Sequence, residues 1–492
     1  MKYSQINISK SAFIRGLQCH KSLYLKKHHP DLEDKISEAQ QAIFDKGTNV
    51  GLLAQTLFPG GIDLGSYIPN NFAEVFKQTD LLIQGEAPIY EAGFKYDGLL
   101  CFMDILAKKD GKWRAYEVKG STSVKETYLW DTAFQYHVLT SSGIDLEEIS
   151  VVFLNNQYVR NGELDLQELF TIESVKDRIL ALQPKVIEYI KQMKRMLVDV
   201  TIPAIDIGPH CHDPYACSFL GHCWKNIPDY SVFNISRLNK NKKFELFHNG
   251  TINISDVPDN FPLSHNQQLQ VSSEKTRESI IDINQIKLFV DALNYPLYFL
   301  DFETFQSSIP VFDHLKPFQQ ICFQYSLHIL DKPNGTLIHK EFLAEAKDDP
   351  RILFIQQLIN DIGHSGDIIV YNKGFETARL NEIGINFPEY KRQTEAINNR
   401  VVDLMTPFSQ KHYYTPEMKG SYSIKKVLPA LVPELSYVNL NINEGGSASL
   451  AFAYLYDETN TETIKKTRDD LLAYCKLDTL AMVEILKILN LV

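Results

Sequence analysis

Two rhythms of hydrophobic and polar positions recur along the chain. One has a period of two, as in YFLDFETF (298–305), where alternation puts Tyr298, Leu300 and Phe302 on one face of a strand. Asp301 and Glu303 fall on the other face, about 7 Å apart. The other rhythm has a helical period, as in TYLWDTAFQYHVL (127–139) and TRDDLLAYCKLDTLAMVEILKIL (467–489). Thr467 with Asp470 marks a start for the latter. Strand-like and helix-like segments alternate over residues 1–225 and again over 291–492, which predicts two α/β domains. Residues 226–290 are polar, with NKNKK and SHNQQLQVSSEKTRES, and read as a small connector with short helices around LNKNKKFELFHNG.

Composition narrows the picture. The 492 residues are 44% hydrophobic and 23% charged, as in a globular protein too long for a single core. A formal charge of −11 excludes a generally basic, non-specific coat for nucleic acid but leaves room for a local basic groove. The opening MKYSQINISKSAFIRG has no apolar core of signal-peptide length, and no run of about 18 apolar residues follows. A cytoplasmic protein without a membrane partner is expected. Seven cysteines are odd in number and sparse, which argues against a disulfide framework.

The strand acids raise a charge problem, because two carboxylates on a buried strand face are costly without a cation between them. A second acidic pair arises in GLLCFMDILAKKDGKWRAYEVK (98–119). Asp110-Gly111 suits a two-residue hairpin turn, and counting back from it sets Asp104 opposite Glu117, with Cβ atoms about 5 Å apart. Lys119 shares their face. A divalent ion bridging the carboxylates, with a lysine to orient or deprotonate a water, suits phosphodiester hydrolysis. Asp104, Glu117 and Lys119 resemble the PD-(D/E)XK nuclease core. The helix that follows is similar to the one carrying a catalytic-site glutamine in the RecB-like branch, which implies that role for Gln135. This chain has Leu139 where that branch usually has a tyrosine, offers Tyr136 instead, and lacks an early histidine ligand near KGTNVGLLAQ. Glu91 reads either as a further carboxylate of the site or as a plain surface residue.

Cys211, Cys217 and Cys223 crowd into HCHDPYACSFLGHCW, and Cys19 lies far upstream in RGLQCHKSLYLKK. Three neighbouring thiolates with a fourth ligand make a metal or cluster site. One cysteine before the nuclease core and three after it resembles the RecB-like nucleases that hold an iron–sulfur cluster, including CRISPR-associated and helicase–nuclease members. The implied ligands of a 4Fe-4S cluster are Cys19, Cys211, Cys217 and Cys223, with a structural role. The spacing C-x5-C-x5-C is wider at its first gap than the usual pattern, and His210, His212 and His222 are close enough to leave Zn2+ open. Cys101, Cys322 and Cys475 read as core residues.

The terminal helix supplies partners for the first acid pair. Tyr474 and Asp478 are four apart and share a helix face. With D-x-E at Asp301 and Glu303, they resemble the tyrosine variant of the DnaQ-like exonucleases, the DEDD group of the RNase H superfamily. In VYNKGFETARL, Glu376 occupies the position of that family's middle aspartate, one methylene longer in reach, and Asp403 in RVVDLM reads as a supporting acid. Lys425 and Lys426, in GSYSIKKVLPAL, read equally as phosphate contacts or as surface lysines.

Together these features resemble a bacterial family that fuses a RecB-like, restriction-endonuclease-like domain to an RNase H-like domain. The resemblance implies a nuclease dependent on Mg2+ or Mn2+, with metal ligands Asp104, Glu117, Asp301, Glu303, Glu376 and Asp478. DNA with single-stranded ends is the implied partner, cut to leave 5′-phosphates at one site and trimmed from 3′ ends at the other. Repair, recombination or defence are the compatible roles, beside a helicase or defence-system partner. RNA processing, and a binding scaffold with one or both sites inactive, remain the alternatives.

Overall fold

The computed structural model describes residues 6–68 and 71–492. The chain is mixed α/β and divides into two compact units. One comprises the chain up to Asn226 together with Ser307–Gln319; the other comprises Ile227–Gln306 and Gln320–Val492.

In the first unit, β1 (Ile8–Ser9), α1 (Lys10–Gln18), α2 (His20–His28), α3 (Glu38–Gln55), β2 (Ile62–Asp63) and α4 (Phe72–Leu82) lead into β3 (Ile89–Tyr96). The sheet continues through β4 (Leu99–Lys109), β5 (Lys112–Lys119), the crossover helix α5 (Glu126–Ser141), β6 (Leu146–Leu154), the short α6 (Leu166–Leu169) and β7 (Phe170–Ser174). Helices α7 (Lys176–Leu180), α8 (Gln183–Val198) and α9 (Leu220–Cys223) complete it. The strand order is β2-β3-β4-β5-β6-β7, with β1 alongside β4. Asp110 and Gly111 both have positive φ, 54° and 75°, as a two-residue hairpin turn matching the strand twist requires. The register is the expected one, Lys109 facing Lys112 and Ile105 facing Tyr116. Phe13 of α1 stacks on Phe134 of α5 at 4.9 Å, and both are fully buried, so these helices share one core against the sheet.

The second unit begins with the stretch read as a connector. It forms α10 (Lys240–His248), α11 (His265–Thr276), β8 (Ile280–Ile281) and α12 (Ile283–Asp291), with a small core of its own around Val232, Ile235, Leu246 and Ile254. Then follow β9 (Leu297–Gln306), β10 (Gln320–Leu330), β11 (Leu337–Leu343), α13 (Arg351–Asp361), β12 (Ile368–Val370), α14 (Lys373–Asn386), α15 (Lys391–Asn398) and β13 (Val401–Asp403). The chain ends with α16 (Thr406–Ser409), β14 (Tyr413–Tyr414), α17 (Ile424–Leu431), α18 (Gly445–Tyr454) and α19 (Thr461–Asn490). The sheet order is β11-β10-β9-β12-β13; the first three strands are antiparallel, and β12 and β13 run parallel to β9.

Alternation on β9 sorts its side chains as the sequence predicts. Tyr298, Leu300 and Phe302 pack with Phe354 and Leu358 of α13 and with Leu380 of α14. Leu297 and Phe299 pack on the opposite face with Leu471, Tyr474 and Met482 of α19. Asp301 and Glu303 therefore project toward the terminal helix. That helix starts earlier than the Thr467–Asp470 signal predicts. Asn460 caps it, accepting from the N–H groups of Glu462 and Thr463, and the first turns, TETIKK, are mostly exposed and carry no apolar stripe to betray them. No helix among the described residues is long and apolar enough to cross a membrane.

Candidate functional sites

In the first unit the ladder between β3 and β4 pairs Tyr90 with Ile105 and Ala92 with Met103, leaving Glu91 and Asp104 facing each other in the gap. The ladder between β4 and β5 stops at Ile105–Tyr116, one step short of Asp104 and Glu117. Three carboxylates thus meet at one level of three adjacent strands. Glu91 has φ 56°, a left-handed value that is uncommon for a residue with a side chain and breaks the pleat there.

Glu117, 1% exposed, accepts from Lys10 Nζ at 2.6 Å, Lys119 Nζ at 2.7 Å and Gln135 Nε2 at 2.7 Å. Lys119 also donates to Asp131 Oδ2 at 2.5 Å, and Asp104 accepts from the Val118 N–H at 2.6 Å. Asp104, Glu117, Lys119 and Gln135 are therefore in one cluster, and Glu91 joins them. Burial alone would raise Glu117, but the two ammonium groups pull it down to about 2. Burial and the charge on Glu117 push Asp104 up to about 8 and Glu91 up to about 7. Lys119 is held well above the usual lysine range, burial being outweighed by Glu117 and Asp131. Lys10 escaped the sequence reading. It is the first residue of α1, and no motif links it to a strand acid 107 positions away.

The four cysteines Cys19, Cys211, Cys217 and Cys223 line a single small cavity with His210. All are free thiols. Cys211 accepts from the Gly208 N–H at 3.4 Å, and the Cys217 thiol donates to the Ser22 hydroxyl oxygen at 3.3 Å. Burial raises Cys19 and Cys223. Four sulfur atoms around one cavity, with a backbone N–H already aimed at Cys211, suit a thiolate-bound metal or cluster. Cys19 is the C-cap of α1, the helix that begins with Lys10.

In the second unit, carboxylate oxygens of Asp301, Glu303 and Asp478 all lie within 4.8 Å of one another. Glu303 and Asp478 are 7% and 6% exposed. Burial, then Asp478, Glu303 and Glu376, push Asp301 well above the carboxylate range; Glu303 is raised by burial and Asp478, against the pull of Lys425. Asp478 rises to about 6 through burial, moderated by the Tyr437 and Tyr474 hydroxyls and Lys425. The Tyr437 hydroxyl donates to Asp478 Oδ1 at 2.7 Å. Glu376, in the first turn of α14, is 2% exposed, raised to about 8 chiefly by burial, and its Oε2 has no hydrogen-bond partner. It acts on Asp301 and Glu303 electrostatically but is not within the close triad.

Asp403, read as a supporting acid, does so at one remove. Its carboxylate accepts from the N–H groups of Asn372 and Lys373, each at 3.1 Å, and so caps the helix that carries Glu376. The sequence reading missed Tyr437 entirely, and gave Cys475 only a core role, whereas its thiol lies 3.8 Å from Asp301 Oδ2. A loop tyrosine outside any periodic segment leaves no trace in the pattern. Three oxygen donors this close, with an orphaned fourth carboxylate oxygen nearby, fit a hard divalent cation such as Mg2+ or Mn2+.

The fold and sites define a mixed α/β chain in which two separate units each gather buried carboxylates. A family described as a domain of unknown function, DUF2779, matches residues 298–423, taking in Asp301, Glu303 and Glu376 and ending before Tyr474 and Asp478. The chain is 32% identical over 195 residues to "Uncharacterized protein UU173" of Ureaplasma parvum, covering 36% of this chain and 28% of that protein. It is 29% identical over 223 residues to "Uncharacterized protein MG366" of Mycoplasma genitalium, covering 41% and 33%. The matched stretches thus span a third or less of these relatives.

Proposed function

We propose that the chain is a metal-dependent nuclease that hydrolyses phosphodiester bonds in DNA at two sites and acts on single-stranded ends. On this reading the first unit is a restriction-endonuclease-like domain of the RecB-like kind and the second an RNase H-like domain. The observation that carries the proposal is the triad of Asp301, Glu303 and Asp478, one half-buried and two buried carboxylates drawn within 4.8 Å with no ion pair to any of them among the described residues. Such a set is tolerable only if protonated or if divalent cations bind it.

Asp301, Glu303 and Asp478, with Glu376 beside them, would hold the ions at the second site. Asp104, Glu117 and Glu91 would do so at the first. When bound, such ions polarise a phosphoryl oxygen and make water a competent nucleophile near neutral pH. The chain's own groups do the rest. Tyr474 and Tyr437 fix the orientation of Asp478 through their hydroxyls. Gln135 holds Glu117 in place, and Lys119, an ammonium throughout the physiological range, steadies the negative charge that builds on the attacked phosphate. The cysteine cavity would hold a 4Fe-4S cluster or Zn2+ and join the start of the unit to its end. Anaerobically purified protein that is brown would speak for the cluster.

Purified protein with Mn2+ and end-labelled single- and double-stranded DNA and RNA tests the proposal. Cleavage of single-stranded DNA is expected, with Asp104→Ala and Asp301→Ala each removing a different activity. Retention of the nucleic acid without any cleavage would leave a binding scaffold in its place.

A further inference from the structure

Beside the triad, in the same unit, lies a cleft of about 300 Å³ whose walls include Lys419, Lys425, Lys426, Ser436 and Tyr437. Three lysines face a single acid there, Glu417. The chain as a whole carries a net charge of −11, so this concentration of positive charge runs against its composition. Neither Lys419 nor Lys426 has an ion-pair partner among the described residues, and both are exposed.

The cleft is built rather than incidental. Lys419 has φ 49°, a left-handed conformation that costs a residue with a side chain about 1 kcal/mol. It is held there from both sides. Met418 is fully buried, and the Gly420 N–H donates to the Tyr414 hydroxyl at 3.0 Å. Gly420 itself has φ 74°, and a Cβ there would lie 2.2 Å from Gln270 Nε2, so the turn admits only glycine and aims Lys419 outward. Lys425 is tethered by a 2.7 Å bond from Nζ to the Asn443 carbonyl and lies 5.2 Å from the centre of the Tyr474 ring.

Two residues belong to both places. Tyr437 lines the cleft while its hydroxyl bonds Asp478, and Lys425 lines the cleft while its charge acts on Glu303 and Asp478. The cleft is therefore about one side chain away from the carboxylates, the order of the spacing between successive phosphates of an extended strand.

We infer that this cleft is a phosphate subsite, seating the phosphodiester next to the one presented to the triad. Compact ammonium groups suit a phosphate as point charges, and Ser436 adds a hydroxyl donor. The inference rests on reading the triad as a phosphodiester-hydrolysing site, and it adds a length requirement. A substrate with a single phosphodiester leaves the cleft empty, and a longer strand fills it.

The test uses the full-length chain with Asp104→Ala, so that trimming reports the triad alone, with Mn2+ and end-labelled oligothymidylate. Replacing Lys419 and Lys426 together by Ala is expected to raise KM about tenfold or more, leave kcat within about twofold, and flatten the dependence of log KM on log salt by about 0.7 per lost contact. Lys419→Arg with Lys426→Arg is expected to restore both. A dinucleoside monophosphate should have the high KM already and be indifferent to the Ala pair. If oligothymidylate is trimmed with unchanged KM and salt dependence by the Ala pair, the subsite is overturned and the triad reading stands. If the Asp104→Ala chain trims nothing and Asp301→Ala leaves its Mn2+ binding unchanged, the triad reading fails and the subsite with it. Mn2+ binding that Asp301→Ala abolishes, in a chain that trims nothing, likewise overturns the subsite.

Discussion

In the first unit, buried Glu117 is gripped by two ammonium groups, Lys10 and Lys119, at 2.6 and 2.7 Å. In the second, Asp301, Glu303 and Asp478 face one another, and the lysine that acts on Glu303 and Asp478, Lys425, is tied to a carbonyl. The same problem of concentrated negative charge is met by the chain's own cations in one place and left unmet in the other. In the first site the lysines balance Glu117, while Asp104 and Glu91, pushed up to about 8 and about 7, are held in check by protons, so an incoming ion competes with a lysine as well as with protons. A site without such lysines stores repulsion, held in check by protons, and an incoming ion relieves it. Metal should therefore act on stability mainly through the second unit.

The largest expected effect follows from removing the triad. Mn2+ at about a hundred times its Kd should add about 2.7 kcal/mol to the wild-type protein's unfolding free energy by mass action, where it binds only the folded state. Asp301→Ala should abolish that increment and cut trimming by at least about a hundredfold, the order seen when a preorganised charge-stabilising group is lost. Calorimetric melts with and without Mn2+ measure the first effect and end-labelled DNA the second. An Asp301→Ala protein that is still stabilised by Mn2+ to the wild-type extent would move the metal's main effect elsewhere and break the contrast.

A smaller effect sharpens the contrast from the other side. Lys10→Met removes one of the two cations on Glu117 and should cost about 2 kcal/mol in the absence of metal, at the lower end for breaking a buried pair because Lys119 remains and Lys10 is partly exposed. The same substitution should make the first unit's stability respond to Mn2+ as the second unit's does. A melt that is unchanged without metal would mean that Lys10 is merely nearby.

What the sequence could and could not reveal divides along the same line. The hairpin site was legible because a two-residue turn fixes register, and register alone sets Asp104 opposite Glu117. Asp301 and Glu303 were legible because strand alternation is local, and Tyr474 and Asp478 because helical spacing is. Lys10 was not, since its approach to Glu117 depends on how α1 packs on α5, through contacts such as Phe13 on Phe134. Tyr437 is reached through a loop, and the strained backbone at Glu91 and Lys419 reflects tertiary demands that oppose local preference. The early start of α19 was hidden for the opposite reason, because its first turns pack against little. Local rules locate acids along elements; which cations reach them is settled by packing.

The smallest expected effect is in the pH dependence of the metal-free protein. Asp478 and Glu376 have folded-state values of about 6 and about 8, above their ordinary values of 3.8 and 4.5. Between the ordinary and the raised value the folded state binds more protons than the unfolded one, so unfolding free energy falls as pH rises. The second unit should therefore be most stable near pH 4 and lose stability progressively toward pH 8 when metal is withheld. In the first unit Asp104 and Glu91, raised to about 8 and about 7, share that sign, whereas Glu117 has the opposite one: held down to about 2, it favours folding above the ordinary value of 4.5 and loses that contribution as pH falls from there through about 2. Saturating Mn2+ should flatten the slope above pH 4, because it takes over from protons the task of offsetting the carboxylate charges. Glu376→Gln should reduce the part of the slope that lies nearest pH 8, to which Asp104 also contributes, and leave the rest. Denaturant titrations at several pH values, with and without Mn2+, give the slope directly. A metal-free protein whose stability climbs from pH 4 to pH 8 would show that the triad is not the uncompensated site its geometry describes.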